Sequence, residues 1–65
     1  MNNIENAKCW IKKLKILINE LNIQISQAEE WSTRRHLVEE RMRAENNLED
    51  WKIELDKARE KILNP

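Results

Sequence analysis

The residues best equipped for chemistry lie between positions 29 and 43, EEWSTRRHLVEERMR. This window holds four of the five arginines, the only histidine and one of the three tryptophans. Guanidinium forks bind phosphate and carboxylate oxygens two at a time, and an indole stacks on a base or on a guanidinium. Trp31, Arg34, Arg35, His36 and Arg41 are therefore a candidate site for a small anionic ligand such as a nucleotide, with Arg43 beside them. Opposition lies in the window and just beyond it. Glu30, Glu39, Glu40 and Glu45 can neutralise the four arginines and leave an ordinary solvated helix face.

Other chemistries find less to work with. His36 with Glu39 and Glu40 has metal-ligand spacing, but helical metal centres repeat such a motif on several helices, and this chain has one histidine. Neither a metal site nor a cofactor is expected. Cys9 has lysine neighbours that would favour its thiolate, yet no second catalytic group stands near it in sequence. With no glycine to shape a pocket loop, the expectation is a protein that is not an enzyme. The stretch KCWIKKLKILI, residues 8–18, mixes lysines with tryptophan and aliphatic residues, as membrane-surface and nucleic-acid contacts do. Its apolar members instead follow a helix-packing seam, and a net charge of zero argues against nucleic acid as the partner.

Whatever these groups do, helices must position them. Sixty-five residues with 37% charged, no glycine and a single terminal proline describe a helical or coiled-coil chain. In the first half, Ile4, Ala7, Ile11, Leu14, Ile18, Leu21, Ile25 and Ala28 recur at alternating steps of three and four, the a and d positions of a heptad seam. Trp10 and Leu17 sit beside it at g and widen it. Asn2 and Glu5 have capping-box spacing, which starts this helix near residue 3. In the second half Leu37, Arg41, Ala44, Leu48, Trp51, Leu55, Ala58 and Ile62 form another seam, interrupted only by Arg41. A guanidinium there can bridge to Glu45 or to a partner's carboxylate, or point at a bound anion.

The two seams are out of step by two residues, roughly 200° around an α-helix. An unbroken helix would point them in opposite directions, whereas a reversal lets them meet. The sequence therefore predicts an all-α antiparallel two-helix hairpin, a single domain over residues 1–65. Its first helix covers about 3–29, its turn about 30–33 and its second helix about 34–63. Ser32 and Thr33 are the expected N-caps of the second helix. The charge distribution agrees with the reversal: residues 1–22 carry four bases and two acids, residues 45–65 four bases and six acids. The helix dipole objects, because Glu29 and Glu30 would close one helix and Arg34 and Arg35 open the next. Two alternatives are an earlier break, with Ser26 and Glu29 as a capping box, and one continuous helix.

A hairpin of this size has a marginal core, and with one cysteine it has no internal disulfide to reinforce it. Cys9, Ile16 and Ile23 form a separate line at heptad position f, facing away from the seam. Together with Trp10, Leu17 and Trp51 they are the candidate interface residues. They point to self-association into a dimer or higher helical bundle and to a protein partner. The leading expectation is a homo-oligomeric scaffold, adaptor or inhibitor of another macromolecule. An inter-subunit anion binder comes second and a nucleic-acid binder third. No apolar run approaches the ~20 residues of a membrane span, so a membrane partner is not expected and a cytoplasmic location is. The many Ile, Lys and Asn residues suggest an AT-rich source such as a virus or mobile element.

Overall fold

A computed structural model describes residues 3–63. It contains two helices, α1 (Asn3–Gln27) and α2 (Trp31–Leu63), packed against each other. The chain extends 53 Å along its long axis and about 15 Å across. A straight helix of the same residues would run roughly 90 Å at 1.5 Å per residue, so the chain has doubled back.

The heptad seams account for the packing. Every seam residue whose side chain is described, from Ile4 to Ala28 and from Leu37 to Ala58, is buried or half-buried. Outside the seams, among the described side chains, only Asn6 and Val38 share that status. Leu14, Leu21 and Ala44 form the centre of the core, with Ile18, Leu37, Leu48 and Trp51 packed against them. Ala7 and Leu55 extend it towards the open end. Small alanines alternate with leucine and tryptophan, which lets the layers interdigitate. Two cross-helix contacts set the register: Trp10 stacks on Trp51 with ring centroids 6.0 Å apart and planes 7° from parallel. Arg41 Nη1 donates to Asn22 Oδ1 at 2.8 Å. Asn2, the expected capping-box partner of Glu5, and the side chain of Ile62 lie outside the described residues.

The reversal falls earlier than the sequence predicts. Residues 28–30 connect the helices, α2 begins at Trp31, and Ser32 and Thr33 lie inside its first turn rather than capping it. The Glu30 carbonyl accepts the first bond of α2, from Arg34 N at 3.1 Å, so Glu30 occupies the N-cap position. This shift answers the acidic half of the dipole objection, while Arg34 and Arg35 still stand in the opening turns of α2. Glu29 and Glu30 now precede the positive end of α2, where acids are favourable. Arg34 turns back, and its Nη2 donates to the Ala28 carbonyl at 2.9 Å, bringing a cation to the carbonyl-rich end of α1. Ser26 does not cap a new helix either, because its hydroxyl donates backwards to the Ile23 carbonyl at 2.7 Å. Ala28 N closes the last turn on the Ile25 carbonyl at 3.3 Å, a tightened end of 3₁₀ type. Among the described residues none has a positive φ, which is why the turn forms without glycine.

Candidate functional site

The arginine-rich window resolves into separate local pairs. Trp31, at the first position of α2, is 72% exposed, and the Arg35 guanidinium lies over its ring, 5.4 Å from the centroid. Arg35 Nε also approaches Glu39 at 3.6 Å, one turn along. His36 Nε2 pairs with Glu40 at 3.0 Å, and Arg34 is held by the Ala28 carbonyl. With 100° per residue, His36 points well away from Trp31 and Arg35 around the helix. Arg41 lies nearly three turns beyond Trp31, on the seam side. The five expected ligand residues are therefore not gathered around one point, and four of them already have partners within the chain. Trp31 with Arg35 is the one pairing of the set that the fold brings into contact.

Arg41 itself is a seam residue with its side chain 32% exposed. Besides the bond to Asn22, its Nε sits 3.4 Å from Glu45 Oε1. That distance makes an ion pair, but the geometry does not make a hydrogen bond, and the buried Nε–H has no hydrogen-bond acceptor. Asn22 was not among the expected site residues. Its signal was its place beside the α1 seam, at the level where a hairpin must confront Arg41.

The expected interface residues divide into two groups. Trp51 is half-buried and belongs to the intramolecular seam, with Trp10 stacked over it. Trp10 keeps an outer face and carries Lys13 Nζ 5.3 Å from its ring centroid. Leu17 is exposed like Trp10; Ile16 and Ile23 are 52% and 50% exposed, and Cys9 is exposed and unpaired. Around α1, positions f and g bracket position c, so these five residues form an apolar band with Lys13 and Glu20 running along its middle. The band runs from the flank of the seam, at Trp10 and Leu17, round to the side of α1 away from it, at Cys9, Ile16 and Ile23.

A second outward line runs along α2. Trp31, Met42 and Ile53 are all exposed and spaced by eleven residues. Eleven residues make three turns with only about 20° of drift, so the three lie nearly straight along the helix. A heptad reading steps past this spacing. Among the described residues no group of three His, Cys, Asp or Glu side chains is placed to hold a metal ion. No described helix is long and apolar enough to cross a membrane.

Fold and surface together define a two-helix α-hairpin with one internal seam and apolar lines on the outer sides of both helices. Comparison with family models, curated proteins and solved structures gives no match to this chain.

Proposed function

We propose that this chain is a non-enzymatic interaction protein, a homo-oligomeric helical hairpin that acts as a scaffold, adaptor or inhibitor of another macromolecule. The observation that carries the reading is the outer band of α1. Among the described residues α1 buries only Ala7, Leu14 and Leu21, and it leaves Ile16, Leu17 and Ile23 exposed beside the outer face of Trp10, whose other face packs on Trp51. Exposed apolar residues scattered singly are ordinary; a row of them along one helix face marks a contact surface. The small core supports the same reading, since no large side chain among the described residues is fully buried. A hairpin of this size gains the rest of its stability by association.

The anion-binding reading draws on the exposed Trp31–Arg35 pair, but the other members of its set are occupied by Ala28, Glu40, Asn22 and Glu45. It is the weaker of the two. Sedimentation equilibrium of the full chain tests the leading reading. The expected result at micromolar concentration is a mass at least twice 7.9 kDa, reverting towards the monomer in Ile16→Glu. A fully helical monomer at every concentration would refute it.

A further inference from the structure

Resting on the self-association just proposed, we infer that the partner on the α1 band is α1 of a second copy, running antiparallel, with the two-fold axis between Ile16 and Leu17. The band is self-complementary about that point. An antiparallel two-fold there sets Ile16 against the partner copy's Leu17 and Trp10 against its Ile23, so large apolar groups meet on both sides of the axis, while Cys9 falls opposite Gln24. The only charged residues along the middle of the band, Lys13 and Glu20, lie equally far on either side of the axis. Each Lys13 therefore faces a Glu20 across the contact, twice over. An isologous interface requires this reciprocity of residue i with j and j with i.

A parallel two-fold fails on the same residues. It would place Lys13 on Lys13 and Glu20 on Glu20, and like charges at matching levels oppose association. The Lys13 ammonium already rests against the Trp10 ring, at 5.3 Å from its centroid, so the charge is held on the contact surface. The remaining lysines of α1, Lys8, Lys12 and Lys15, lie outside the band and avoid facing their own copies. The resulting dimer has the two α1 helices at its centre and the two α2 helices outside, with the Trp31–Met42–Ile53 lines on its outer sides.

Disulfide trapping in the full chain, with Cys9→Ser as background, tests this geometry. Lys13→Cys/Glu20→Cys cannot close within one helix, where the two positions are about 10 Å apart. It should oxidise to a covalent dimer, while Lys13→Cys alone should not. Native Cys9 should not crosslink, being about 22 Å along the helix from its own copy across the axis. In parallel, Lys13→Glu should raise the dimer Kd roughly tenfold, through two reversed pairs. Lys13→Glu/Glu20→Lys should recover most of that loss, which a merely disrupted helix would not. Rapid crosslinking of Cys9 or of Lys13→Cys alone would overturn the antiparallel arrangement in favour of a parallel one. A stable dimer indifferent to both charge reversal and trapping would also overturn it and move the contact to another face, leaving self-association intact. A helical monomer throughout would remove both.

Discussion

Replacing Arg41 by leucine should stabilise this protein while loosening its structural specificity. The side chain is about two-thirds buried, makes one good hydrogen bond, to Asn22 at 2.8 Å, and has its Nε buried without a hydrogen-bond acceptor. A hydrogen bond to a charged group contributes about 1.5–3 kcal/mol when well buried, but Asn22 is exposed, which puts this one near the low end. Against it stand the desolvation of the guanidinium and the unsatisfied Nε–H, which costs about 1–3 kcal/mol. Leucine removes that cost and adds apolar area beside Leu21 and Ala44, in the way that hydrophobic replacements of buried ionic groups stabilise by about 1–4 kcal/mol. The net expectation is a gain of about 1 kcal/mol, or roughly 4–8 °C in Tm for a domain of this size. Urea denaturation with equal slopes for both proteins measures it. Sedimentation velocity should then show additional oligomers, because a single polar residue on a seam selects one register at a cost in stability. Arg41→Leu destabilised by more than about 1 kcal/mol, still with a single species, would refute the reasoning.

Other substitutions probe the seam and the turn. Leu21→Ala removes a buried side chain beside Ala44 and should cost about 2–4 kcal/mol by urea denaturation, enough to leave much of the chain unfolded at room temperature. Trp51→Ala should cost about 2–3 kcal/mol, less than a fully buried tryptophan, whereas Trp31→Ala, at a site 72% exposed, should stay within about 0.5 kcal/mol; equal effects would mean that the two rings are wrongly placed. Arg34→Gln loses the cation at the end of α1 and should lower stability by about 0.5–1 kcal/mol, an effect that shrinks in high salt; a stabilising result would contradict the cap on Ala28.

The seams were legible in the sequence because heptad spacing leaves little freedom: one apolar residue misplaced by one position moves 100° around the helix. Their two-residue mismatch also disclosed the reversal. Its position was harder to read, because Ser32 and Thr33 satisfy the usual capping preference while the deciding interaction is a long-range one, Arg34 reaching back six residues to Ala28. Moving the turn to 28–30 puts the acids and the arginine on favourable helix ends together, a joint effect that no single-residue preference reveals. The arginine cluster looked concentrated along the chain, but helical rotation disperses it, and Glu39, Glu40 and Glu45, each four residues beyond Arg35, His36 or Arg41, engage its members locally. The outer line of α1 was readable at a spacing of seven. The Trp31–Met42–Ile53 line, at eleven, becomes evident once the seam of α2 is known to face α1.

The outward faces have meaning only if the chain reverses at residues 28–30, and one intramolecular distance tests that most directly. Spin labels at Lys8→Cys and Lys57→Cys, in a Cys9→Ser background diluted with unlabelled protein, sit near the open end of the hairpin on adjacent helices. With helix axes about 8–10 Å apart, the expected label separation is below about 25 Å. A separation near 70 Å, the length of the intervening residues as one straight helix, would contradict it.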